Sequence, residues 1–407
     1  MTKLLAQHGY GKGSKIIDSI NAGSLQGAIF SPDSENIERI VDYCNTEALL
    51  TKSNSFLDPV FYYSTFDRSV LKKLTEVDKY PTDVQRRDWR KKSKNVIEYI
   101  DYHAEKTNLI SNTLITPGFY VNGIDWKFDY SLDIYRYCLD KYDFNNYAMS
   151  LLIDFSLFNN LDNVKELIYE LTEEINNKQY IYLTICYERG NNSNYDVIFS
   201  SPDVDGLGNI LYFIYCLRKE GYKFIIGYTF MDSLLFSALG CEYVANGWFN
   251  SLRKFQNDRF EDFPSFGRRK KRYTSLPLLS NIMYEDIDTM LGTGKILEDN
   301  IKSGTLFDNK YSLKDEALIS LVELEHQFWQ SISLGLDDLN EFDNDNDKLT
   351  YFINEITRAI DMYQPILREL GRSKADTTFQ NRIRVAYSHL PKWLAAINIF
   401  KAQALIY

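Results

Sequence analysis

Eight short apolar runs recur along the N-terminal part of the chain, each ending in polar or turn residues. They are KLLAQHG at the start, LQGAIFSP (25–32), NSFLDPVFYYS (54–64), NTLITPGFYV (112–121), YAMSLLIDFS (147–156), QYIYLTICYE (179–188), YKFIIGYT (222–229) and CEYVANGW (241–248). Between most of them lie stretches of helical period, such as SKIIDSINAG, NIERIVDYCNTEALL, DYSLDIYRYCLDKY and LGNILYFIYCLRKEG. A strand that is apolar on every residue must be covered on both faces, and alternation with helices implies parallel pairing. Eight such units predict an α/β fold, a (β/α)8 TIM-like barrel. An open doubly wound sheet is the competing arrangement, and the count favours the barrel.

Two segments fall outside the repeat. The connection from Ser64 to Ser111 is longer than a strand-to-helix loop needs, and it carries QRRDWRKKSK (85–94). It reads as an inserted helical excursion, spanning about 65–110, at one end of the barrel. Beyond residue 305 the runs at 313–334, 347–370 and 376–406 have helical period without strand-like stretches. The expected division is a barrel over 1–305 and an α-helical domain over 306–407. The linker EFDNDNDK (341–348) imitates a calcium loop, but it lacks the glycine after Asp347 and has Asn354 in the twelfth place. A helix-capping linker is the expectation.

Composition adds limits. The chain has 407 residues, 46 Lys and Arg against 56 Asp and Glu, and a net charge of -10, which argues against a broadly DNA-coating protein. Its five cysteines and four histidines are scattered, with no CxxC or HxxxH spacing, so no disulfide frame, metal site or cofactor is expected. Neither a signal peptide nor a long apolar span is present, and the expectation is a reduced, cytoplasmic protein without a membrane partner.

In a parallel barrel, chemistry gathers where the strands end. The strand assignments therefore nominate His8, Ser31, Asp58, Thr116, Asp154, Glu188 with Arg189, Tyr228, and Asn246 with Trp248. The first loop, HGYGKGSK with Lys12, fails the Walker pattern because Ser14 precedes Lys15. Its glycines still allow backbone amides to approach a ligand. Asp154 and Glu188, on adjacent strands, could divide into acid and base or nucleophile and acid, with His8 and Asp58 beside them. The alternative is that Asp154 caps the next helix and Glu188 pairs with Arg189. The stretch 246–279 concentrates Arg253, Arg268 and Arg269 with Trp248 and Tyr273 among further cations and aromatics. Guanidinium groups match phosphates and aromatic faces stack on bases, so this loop is the candidate nucleic-acid or nucleotide site. The bland reading is a long loop pinned to the barrel by its rings.

The stretch GCEYVANGWFNSLRKF followed by FGRRKKRY resembles the tRNA-guanine transglycosylase superfamily, TIM-barrel enzymes that exchange a base through a glycosyl intermediate. The likeness covers roughly residues 222–280. It implies a phosphorylated nucleoside-type ligand or a nucleic acid. Where that family carries its nucleophilic Asp this chain reads Val244-Ala245-Asn246, and the family's zinc signature is missing. A different class remains open: a non-catalytic barrel subunit of a nucleic-acid-processing or phage-defence complex, docking a protein partner through helices in 313–407.

Overall fold

The structure, a computed structural model, describes residues 1–67, 69, 71–175, 178–188, 203–260, 270–314, 316–372 and 377–405. Twelve strands form among them: β1 (Lys3–Gln7), β2 (Gly27–Phe30), β3 (Ser55–Leu57), β4 (Thr113–Thr116), β5 (Tyr120–Val121), β6 (Asn146–Asp154), β7 (Tyr180–Tyr187), β8 (Lys223–Ile226), β9 (Tyr243–Asn246), β10 (Phe255–Gln256), β11 (Arg272–Ser275) and β12 (Ser280–Met283).

Eight of these make the barrel, in the order β3-β2-β1-β9-β8-β7-β6-β4. All seven pairings are parallel, and β1 joins β9 in the register Leu4↔Val244 and Leu5↔Ala245. The eighth junction, between β3 and β4, has no ladder. It is bridged below the strands, where Asn112 N–H donates to the Lys52 carbonyl at 2.7 Å. The result is a nearly closed (β/α)8 TIM-like barrel.

The apolar runs are explained by what each face covers. One residue from each barrel strand points inward to make a single interior layer: Leu5, Ile29, Phe56, Ile115, Ala148, Tyr182, Ile225 and Ala245, all buried. Their neighbours, such as Leu4, Ala6, Phe30 and Leu114, belong to the separate core between sheet and helices. Seven helices lie between successive barrel strands in the expected places: Lys15–Asn21, Ile37–Thr46, Lys94–Ile110, Trp126–Lys141, Leu161–Glu174, Val204–Lys219 and Asp232–Ala238. Several begin on Asn or Asp side chains that accept from the first-turn amides, among them Asn36, Asp125, Asn160 and Asp203.

The eighth helix place is filled from the C-terminal helical domain. Helix Leu321–Asn340 packs against β1 and against helices Lys15–Asn21 and Asp232–Ala238. Its buried Trp329 donates Nε1–H to Asn246 Oδ1 at 3.0 Å. Helix Asp345–Arg372 lies on Asp232–Ala238, and helix Thr377–Gln403 lies along Val204–Lys219, where the lack of a side chain at Gly208 admits Ile399. The β11–β12 hairpin packs on these helices, and Gln327 clasps Thr274 as a strand would, accepting from its N–H (3.0 Å) and donating to its carbonyl (2.7 Å). The linker at 341–348 does cap a helix, with Asn344 accepting from Asp347 N–H. Of the 65–110 excursion, Lys94–Ile110 is the barrel's third helix, and Phe66, Val84 and Gln85 before it line a cleft beside Tyr120 and Phe260. No described helix is long and apolar enough to cross a membrane.

Candidate ligand-binding site

The carboxyl ends of the strands converge on Asp58, which is fully buried one step beyond β3. Its Oδ1 accepts from Val60 N–H (2.8 Å), and its Oδ2 accepts from the hydroxyls of Tyr182 (3.1 Å) and Tyr62 (3.3 Å). No cation among the described residues stands against it, and burial pushes its carboxyl up to about 7. Tyr228 completes the group in a left-handed backbone conformation (φ 56°), a strained geometry outside glycine. The Arg259 guanidinium lies over the Tyr228 ring at 4.7 Å and reaches Asp33 at 3.9 Å. In the same inner phase, the Gln7 amide is buried without a hydrogen-bond partner among the described residues.

A strap of residues 250–260 closes this end. Its short strand β10 adds to β7 (Phe255↔Cys186), and Leu252 packs over Gly9 and Gly247, where any side chain would collide with it. Phe260 is the outer wall, touching Tyr63 (5.1 Å), Phe255 (5.8 Å) and Tyr120 (4.9 Å) and stacking on Phe66 (4.5 Å, 9° between planes).

On the far side of Phe260 an open cleft of about 470 Å³ runs between Phe66, Gln85, Tyr120, Asn122, Trp126, Lys127 and Asn257. That volume is within the range of small-molecule sites. Gln85 leads directly into helix Arg86–Arg90, on which Arg86, Arg87 and Arg90 are exposed, followed by exposed Lys91. Trp89 anchors that segment, buried against Tyr130 and Tyr137, with Lys92 lying 3.1 Å over its ring.

The nominated residues divide sharply. Asp58 and Tyr228 meet at the centre. His8 and Lys12 sit together beside the first loop, both on Glu35: His8 Nε2 lies 3.3 Å from Oε2, and Lys12 forms an ion pair with it. The His8 hydrogen bond, followed by Lys12, lowers the Glu35 carboxyl to about 2 against the effect of its burial. Asp154 does cap the next helix, accepting from Ser156 N–H (2.9 Å), and its other oxygen accepts from the Tyr120 hydroxyl. Asp154 faces Cys186 in register, so Glu188 lies further along the chain, and it is exposed. The two carboxylates do not share an enclosed pocket. Thr116 and Ser31 are buried at their strand ends.

The described residues of the aromatic-basic stretch are used chiefly for packing. Trp248 is buried edge-on to Trp329 (6.0 Å) and donates Nε1–H to the Tyr10 carbonyl (3.1 Å). Arg253 donates to the Gly247 carbonyl (2.7 Å) and lies 3.6 Å over Phe328; burial lowers it to about 9. Asn246 is spent on Trp329, and Tyr273, in β11, donates to Asp308 (2.7 Å). Neither Trp248 nor Tyr273 offers an open face for stacking. Arg189, Arg268 and Arg269 lie outside the described residues.

Tyr62, Tyr182 and the cleft rings Phe66, Tyr120 and Trp126 were not nominated from sequence. Tyr182 was accessible to reasoning, because its inward phase on β7 follows from strand alternation. Among the described residues, no group of three or more His, Cys, Asp or Glu could hold a metal ion. No family model, curated protein or solved structure matches this chain.

Proposed function

We propose that this protein binds a phosphorylated nucleoside-type ligand, free or within a nucleic-acid strand, at the carboxyl face of its barrel. The observation that carries this reading is the aromatic cleft opening beside the exposed cations of 86–91. A base would stack among Trp126, Tyr120 and Phe260, and phosphates would meet Arg86, Arg87 and Lys127. Transglycosylase-like exchange receives less support than binding, because Asn246 is committed to Trp329 and Asp154 to a helix cap. Any proton transfer would fall to Asp58, whose carboxyl titrates near neutrality. Five unpaired cysteines support a reducing, cytoplasmic setting.

Fluorescence anisotropy with a short labelled single strand tests the binding. Affinity should fall linearly on logarithmic axes as salt rises, and Arg86→Ala with Arg87→Ala should flatten that slope by about 2. Trp126→Ala should cost about 1–3 kcal/mol of binding. Failure of both variants to alter binding would remove the site.

A second reading, a non-catalytic subunit docking through its helical domain, is favoured by the exposure of Leu306, Leu318 and Val322. It requires Leu318→Ser with Val322→Ser to abolish a defined complex while leaving oligonucleotide affinity intact; unchanged complex formation excludes it.

A further inference from the structure

We propose that the opposite, amino end of the barrel holds a separate binding site for a pyranose sugar. A cavity of about 460 Å³ opens there, at the foot of β3, β4, β6, β7 and β9. It exists for two reasons. The β3–β4 junction lacks a ladder, and the lowest inward places on β4 and β6 hold Thr113 and Asn146 rather than large apolar side chains.

Its chemistry is specific. The half-buried rings of Tyr243 and Tyr180 border it, centroids 6.1 Å apart, and buried Phe56 stands edge-on behind Tyr243 at 5.5 Å. Around it stand Asn112, Asn145 and Asn146, whose side-chain amides have no hydrogen-bond partner among the described residues, and the Tyr180 and Tyr243 hydroxyls are equally free. Amide and phenol groups supply donors and acceptors in pairs, which is what vicinal hydroxyls require, while aromatic faces suit the C–H face of a sugar ring. The lining excludes other classes. No carboxylate lines it for a cation and no guanidinium for a phosphate; the charges at its rings are two lysines, Lys3 lying 5.9 Å over the Tyr243 ring and Lys223 5.4 Å over the Tyr180 ring. A neutral sugar, or one with a single acidic group reaching Lys3, fits this set. This site is independent of the cleft at the other end.

Saturation-transfer NMR on the full chain, with glucose, galactose, N-acetylglucosamine and glucuronate as probes, tests the inference. At least one sugar should show transfer, weakened about tenfold or more by Asn146→Leu through lost hydrogen bonds. Asn145→Ala, at an exposed position, is the second variant should Asn146→Leu fold poorly, and it should also weaken binding. Arg86→Ala with Arg87→Ala should leave the sugar signal unchanged. Absence of transfer from all four sugars overturns the proposal, as does transfer unaltered by both asparagine variants.

Discussion

At the carboxyl ends of the strands, Asp58, Tyr62, Tyr182 and Tyr228 are buried beneath a chain segment folded back over them. At the amino ends, Asn112, Asn145, Asn146 and Tyr180 stand around an open cavity. The first arrangement holds a carboxyl away from water, which costs stability and changes its proton affinity. The second leaves neutral groups hydrated and costs little. One barrel thus encloses a carboxyl at one end and leaves a rim of open amides and phenols at the other.

Substitutions can probe that contrast. One of the two largest expected effects is at the amino end: a Cβ on Gly27 would collide with the Asn54 backbone carbonyl, so Gly27→Ala should destabilise by about 3 kcal/mol in denaturant titration. Close to it in size is a pH effect at the carboxyl end. Asp58 keeps its proton in the folded state up to about 7, whereas the unfolded chain loses it near pH ~4. Stability therefore declines as pH rises through that window, by on the order of 4 kcal/mol at most, and is flat in this contribution above it. Asp58→Asn should abolish the decline and exceed the wild type in stability at alkaline pH; identical pH profiles would show that the carboxyl is ionised throughout. Trp329→Phe, which leaves Asn246 Oδ1 without its indole donor, should cost about 1–3 kcal/mol in thermal unfolding. The smallest change is expected for Asn146→Leu, within about 0.5 kcal/mol of wild type, because its amide has no partner to lose. A large loss there would mean that the amino-end amides are structural.

All eight strand runs read from sequence coincide with barrel strands, because burial on both faces leaves an unbroken apolar signature that survives without context. The eighth helix was legible as a helical run at 313–334 but not in its place: Leu321–Asn340 arrives after a long detour, and periodicity carries no information about which sheet face a helix covers. In the stretch 246–279 the described residues follow the packing alternative, for a related reason. An Arg over a Phe ring has the same composition whether it awaits a ligand or, like Arg253 on Phe328, fastens two helical layers together. Asp58 was legible from its strand-end position, but the tyrosines that enclose it come from β7 and from the turn after β3 and meet only through closure. The amino-end site had a visible trace, asparagines at the start of the third and fourth runs, 54 and 112, and just before the fifth, 145–146.

The missing ladder between β3 and β4 makes the ring a clasp rather than a hoop. Backbone amides of 55–57 and 113–116 that point across the gap lack the strand partner found at the other seven junctions. Local fluctuations of the sheet should begin there, and in deuterated solvent those amides should exchange ahead of their neighbours while the β6–β7 pairing stays protected.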